Sequence, residues 1–159
     1  MAQPNKQYPK QVITTERITS TSEGYQVITA VNNESEEKAV KAAISYMDAF
    51  NESDVNKSDS FINFPHALVG ANGVLVMREK AGTISSPNSF TDFRQRYGWN
   101  HTCWDSRVVI QSNENKVHLV VTYSRYRADG SKIGTFPSIW IMTRQDNHWG
   151  FKLRSNFDR

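Results

Sequence analysis

Three side chains in this sequence pair proton-transfer or anion-binding chemistry with apolar neighbours. In VVTYSRYRADGSKIGTFPSIWIM, residues 120–142, Tyr123 and Arg125 stand two apart, the spacing that puts both on one side of a β-strand. A phenol there can donate a hydrogen bond to a carbonyl or enolate, and a guanidinium can hold an anionic group. The same pair can equally complete a buried structural network. The third residue is His66 in INFPH, since an imidazole with an ordinary pKa of about 6.5 suits proton transfer. An unpaired buried guanidinium is costly. Arg125 must therefore reach water at the rim of the sheet or meet a carboxylate, carbonyls, a cavity water or a bound anion.

Which of these residues face inward depends on strand register. From about His101 the hydrophobic period is two, and SNEN, ADGS and QDNH mark three turns between four long strands. Two-residue hairpins would set Ser112 opposite Asn115, Ala128 opposite Ser131 and Gln145 opposite His148, which fixes every face by counting. One face then collects Trp104, Val108 and Ile110, then Val121, Tyr123 and Arg125, then Phe136, Ser138 and Trp140, then Phe151, Leu153 and Ser155. The other carries Cys103, Asp105, Arg107, Tyr126, Lys152 and Arg154. A β-bulge between Trp104 and Arg107 would change this inventory and turn Asp105 inward. Phe64, Trp99, Trp104, Phe136 and Trp140 offer walls for an aromatic or polycyclic ligand, with Ser138 and Ser155 as a small polar floor.

The upstream elements must cover that inner face. Residues 1–32 read as a polar tail followed by a β-arm, with QVITTERIT and YQVITAV forming either a hairpin about STSEG or an extended strap. A domain follows over 33–159. Asn33 and Glu36 can form a capping box ahead of Val40, Ala43, Ile44, Met47 and Phe50, which recur on one helical face. A short second helix leads towards Phe61. Pro65 disfavours helix at Phe64, so NFPHALV runs extended into a turn at GANG and returns through VLVMRE. A third helix starts near Ser86, with Pro87 at its first position and Phe90, Phe93 and Tyr97 on one side. Helices followed by an antiparallel meander predict an α+β fold, with N-terminal helices packed on a curved antiparallel sheet.

Composition narrows the function. The chain of 159 residues suits one domain, and its formal charge of +3, spread over interspersed charges, argues against a nucleic-acid surface. One cysteine excludes an internal disulfide, and no segment approaches the roughly 20 apolar residues of a membrane span. MAQPNKQYPK lacks the apolar run of a secretory leader, so we expect a cytoplasmic protein. The histidines at 66, 101, 118 and 148 have no metal-ligand spacing, and GANG and ADG lack a nucleotide-binding fingerprint; we expect no metal and no cofactor.

INFPHALVGANGVLVM and the closing meander, GWNHTCW through to LRSNF, occur in an order that resembles the nuclear transport factor 2-like superfamily and its SnoaL-like members. The resemblance covers residues 34–157. It implies a cystatin-like cone with a hydrophobic pocket, His66 near the pocket mouth, and homodimers pairing through the outer sheet face. The superfamily includes ketosteroid isomerases, cyclases and dehydratases alongside non-catalytic assembly modules, so it implies architecture rather than reaction. Where the steroid isomerases carry an acidic base before the proline, this chain has Phe64, which cannot accept a proton. The expectation is a protein that takes a small hydrophobic carbonyl or hydroxyl compound. It is either a cofactor-independent isomerase, cyclase or dehydratase with His66 as acid/base, Tyr123 as donor and Arg125 as anion anchor, or a non-catalytic binding or dimeric assembly domain.

Overall fold

The computed structural model describes residues 14–19, 26–83 and 90–157. Strands β1 (Thr14–Thr19) and β2 (Gln26–Val31) pair antiparallel as a hairpin whose STSEG connection lies outside the described residues. Helix α1 (Glu34–Asn51) starts where the capping pattern places it. Asn33 accepts a hydrogen bond from the Glu36 amide at 3.0 Å and donates to the Glu36 carboxylate at 3.2 Å, satisfying one of the open N–H groups of the first turn. Its buried face holds Ala39, Val40, Ala43, Tyr46 and Met47, with Ile44 and Phe50 packed beside them.

Helix α2 (Val55–Asp59) is one turn capped by Asp54, whose carboxylate accepts from the Lys57 amide at 2.9 Å. Strands β3 (Ile62–Val69) and β4 (Leu75–Arg78) then form the extended pair expected from Pro65 and the GANG turn. Helix α3 spans Phe90–Tyr97; the start expected at Ser86 and Pro87 lies outside the described residues. The meander follows as β5 (His101–Ser112), β6 (Lys116–Tyr126), β7 (Lys132–Gln145) and β8 (His148–Asn156).

Among the described residues these strands make one open sheet in the order β1-β2-β5-β6-β7-β8-β3-β4. Two neighbours are parallel, β2 beside β5 and β3 beside β8. Helix α1 touches five adjacent strands, from β2 to β8. At roughly 4.8 Å per strand those five span about 19 Å, wider than the 10–12 Å of a helix, so the sheet curves around α1 and the core lies between them.

Alternation along β6 and β7 puts Val117, Leu119, Val121 and Tyr123, then Ser138, Trp140 and Met142, on the helix-facing wall, all at most 3% exposed. The Gln145–His148 turn has the predicted register. At the first turn Ser112 lies opposite Val117 rather than Asn115, and at the second Tyr126 lies opposite Lys132. Neither shift changes the inner face of β6.

Candidate functional site

Strand β6 sets the centre of the site. Tyr123 lies across from Trp104 on β5 and Phe136 on β7, its ring 6.4 Å from Trp104 and 5.8 Å from Phe136. Two residues on, Arg125 faces the same way. Its guanidinium carbon is 4.4 Å from the Phe136 ring, 4.8 Å from Phe93 of α3 and 5.4 Å from Tyr123. The charge is thus held against aromatic faces, an arrangement worth about 0.5–2 kcal/mol for each well-placed ring. Tyr123 and Arg125 both point inward, as their spacing predicts.

They line a cleft together with Tyr46, Met47, Phe50, Thr102, Trp140 and Arg154. Its free interior is about 10 Å³, room for roughly one water molecule. Large rings occupy the rest of the cone. Trp140 stacks on Phe151 at 4.0 Å and meets Trp104 at 5.1 Å and Tyr46 at 5.6 Å.

Arg154 enters this cleft where strict alternation would have brought Ser155. Phe151 opposes Met142 but Leu153 opposes Ile141, so Lys152 is an extra residue in β8 and every later side chain changes face. Arg154 therefore lies across from Trp140 on the inner wall. Ser155 lies opposite Ile139, a residue 39% exposed, and leaves the cleft. The floor predicted from Ser138 and Ser155 does not form: the Ser138 hydroxyl is shared between the Ser155 carbonyl and Asn156 Oδ1, each 2.8 Å away, tying β7 to β8.

The second bulge is in β5. Trp104 opposes Tyr123 and Ser106 opposes Thr122, leaving Asp105 as the extra residue. Arg107 and Val109 consequently turn inward in place of Val108 and Ile110, and Arg107 sits 4.9 Å over the Trp104 ring. Asp105 itself does not turn in. Its carboxylate accepts from Ser124 at 2.7 Å on the outer side, and burial pushes its pKa upward.

His66 is not brought to Tyr123 and Arg125. It is 3% exposed, its Nδ1 donates to the Phe151 carbonyl at 3.1 Å, and its ring packs on Phe151 at 4.9 Å. Phe151 in turn stacks on Trp140, so the imidazole stands two rings from the cleft. Burial, then the nearby charge of Arg154, push its pKa down to about 3 against the opposing pull of the Phe151 hydrogen bond. At neutral pH it is an uncharged ring whose one N–H is already used.

The remaining predicted wall residues divide. Phe136 lies under Arg125, and Trp104 backs Trp140. Trp99 donates to Thr102 at 2.9 Å and packs on Phe50 at 5.1 Å, supporting the cleft from behind. Phe64 lies at the β3–β4 end beneath Arg78, 5.3 Å from its guanidinium. There Arg78 Nη2 is 2.9 Å from both oxygens of Asp59, and the Gly82 amide donates to the same carboxylate.

The cleft accordingly offers two guanidinium groups, two phenols, a threonine hydroxyl and an indole N–H, with neither carboxylate nor imidazole among its lining residues. Such a site can hold an acceptor-rich molecule between aromatic faces. Among the described residues no group of three or more His, Cys, Asp or Glu side chains could hold a metal ion, and no helix is long and apolar enough to cross a membrane.

Solved structures that differ widely in sequence share this architecture. An NTF2-like protein with a cystatin-like fold from Novosphingobium aromaticivorans is 12% identical, aligns over 77% of this chain and 80% of its own, and gives a TM-score of 0.62. A ketosteroid isomerase-like protein from Erwinia carotovora atroseptica aligns over 79% of this chain and 96% of its own at 13% identity and a TM-score of 0.54. The association domain of C. elegans CaMKII aligns over 76% and 93% at 12% identity and a TM-score of 0.55. No curated protein matches the sequence. These likenesses show the fold, an α+β cystatin-like cone of NTF2 type, and carry no activity with them. The family described as NTF2-like protein (DUF6841) matches residues 36–152, and the chain belongs to that family.

Proposed function

We propose that this is a small-molecule pocket protein that binds its ligand without converting it. The observation that carries this reading is the makeup of the cleft: aromatic rings and hydrogen-bond donors converge there, and among the described residues no histidine or carboxylate does. Tyr123 serves as hydrogen-bond donor, Arg125 and Arg154 as the positive groups that draw the polar end of the ligand into the cleft, and Tyr46, Phe50, Phe136 and Trp140 as walls. The acid/base role considered for His66 has little support, because its proton-bearing nitrogen is engaged by Phe151 and burial keeps it uncharged.

Binding requires the cleft to open, and α3 is the wall that can move. None of its residues is buried, and it closes the cleft through Phe93 on Arg125 and Phe90 on Phe50. A few ring contacts of about 1 kcal/mol each are within reach of ordinary ligand binding energies. The test is a calorimetric screen of the purified protein with small aromatic carbonyl, hydroxyl and carboxylate compounds, followed by product analysis of every binder. Saturable binding with unchanged ligand is expected. Turnover that disappears in Tyr123→Phe would overturn the non-catalytic reading.

A further inference from the structure

We propose that the ligand carries a carboxylate and that Arg154, together with the indole N–H of Trp140, is what receives it. This deepens the pocket reading above and rests on it. The argument starts from the Lys152 bulge, which places Arg154 across from Trp140 on the inner wall, both lining the cleft. Trp140 is 2% exposed, and its indole N–H has no hydrogen-bond acceptor among the described residues. The buried Nε–H of Arg154 likewise has none, and Arg154 forms no ion pair among those residues.

Other buried donors are also left open, but these two belong to cross-strand partners that line the same cleft, and each costs about 1–3 kcal/mol relative to a satisfied group. A neutral acceptor would relieve one of them. A carboxylate has two oxygens, accepts from both N–H groups at once and cancels the guanidinium charge, so it recovers the most. The surroundings select against other charges. Among the described residues no carboxylate lines the cleft to attract a cation, and Arg125 on neighbouring β6 adds a second positive group. The interior of about 10 Å³ admits one water but no ligand body, so the apolar part of the molecule must take the place of Phe93 beside Arg125 and Phe50. An aromatic or short aliphatic acid fits that description: its two oxygens match the two open N–H groups, and its apolar body takes the place of Phe93.

The experiment compares acids with their neutral amides of nearly equal shape: benzoate with benzamide, and 3-phenylpropionate with 3-phenylpropionamide. Binding is followed by the ¹H–¹⁵N indole resonance of Trp140, identified by its absence in Trp140→Phe. The acids are expected to shift that resonance saturably and to bind at least about tenfold more tightly than the amides, the least that a charge-assisted hydrogen bond should yield. In Arg154→Gln the acid–amide preference is expected to vanish while amide binding persists. Equal binding of acids and amides to the unmodified protein would overturn the carboxylate assignment and leave the pocket reading standing; this comparison needs no variant to fold. If Arg154→Gln keeps the preference, Arg154 is not the receptor. If no compound moves any resonance of Tyr46, Thr102 or Trp140, the pocket reading fails and the assignment falls with it.

Discussion

Two arginines near the β8–β3–β4 end of the sheet keep contrasting company. Arg78 on β4 places one nitrogen 2.9 Å from both oxygens of Asp59, a carboxylate only 4% exposed that also accepts from the Gly82 amide. Arg154 on β8 faces Trp140 and the aromatic cleft, and no carboxylate among the described residues pairs with it. Both leave a buried Nε–H open, but the first guanidinium is neutralised by a carboxylate and closes the β4 edge onto α2, whereas the second has none among the described residues. A charge matched within the fold holds the fold together, whereas one stationed among rings waits for something from outside.

The strongest way to break this contrast is to unmatch the matched pair. Asp59→Ala leaves Arg78, with a side chain 21% exposed, beside an empty space, and removing one partner of a buried pair costs about 3–5 kcal/mol. Because Arg78 reaches solvent in part, a loss near the lower figure is expected in urea denaturation. Arg154→Met, which swaps an unmatched charge for an apolar chain of similar length, is expected to change stability by less than about 1 kcal/mol or to raise it. If both variants lose equal stability, Arg154 has a structural partner after all and the distinction collapses.

The two arginines were not equally legible in the sequence. The capping residues Asn33 and Glu36, the proline-led entry at NFPH and the unbroken alternation of Val117 to Tyr123 each constrain the backbone locally, and α1, β3 and the inner face of β6 and β7 follow from them. Tyr123, Arg125 and Trp140 were therefore placed correctly by counting. Arg154 was not, because FKLRSN reads as a regular strand: Phe151 and Leu153 keep the period of two right across the extra residue Lys152. A bulge costs little backbone energy and leaves no obligatory residue type behind, so nothing in the string marks it. The same holds for Arg107 and for Ser155, which exchanged faces with their neighbours. A bulge near Asp105 could be anticipated, but not which side chain it would deliver inward.

His66 sharpens the contrast from between the two arginines. Its folded pKa of about 3 lies below its unfolded value of about 6.5, so the folded state binds fewer protons than the unfolded one between those limits. Its contribution is fully present above pH 6.5, declines as pH falls towards 3, and levels off below that. Between pH 6.5 and 5 the expected loss is about 2 kcal/mol, and it should be absent from the pH profile of His66→Gln. Both arginines depress this imidazole, Arg154 the more strongly, and among the described residues only Arg78 has a carboxylate beside it. NMR titration of His66 is thus expected to show a larger upward pKa shift in Arg154→Met than in Arg78→Met. The reverse order would mean that Arg154 is the better neutralised of the two.

Arg125 is the intermediate case and gives the smallest effect. Three rings flank it: Phe93, Tyr123 and Phe136 all lie within 5.4 Å of its guanidinium carbon. Of these only Phe93 belongs to α3, which buries no residue, so Phe93→Leu removes one cation–π contact without opening the core. Its stability cost should not exceed about 0.5–1 kcal/mol. If α3 must lift Phe93 from Arg125 before a ligand enters, the contact opposes binding, and its loss should tighten benzoate binding by a factor of about two to five. Unchanged or weaker binding would mean that Phe93 is part of the ligand's seat rather than its obstacle, and that the cleft opens along another edge.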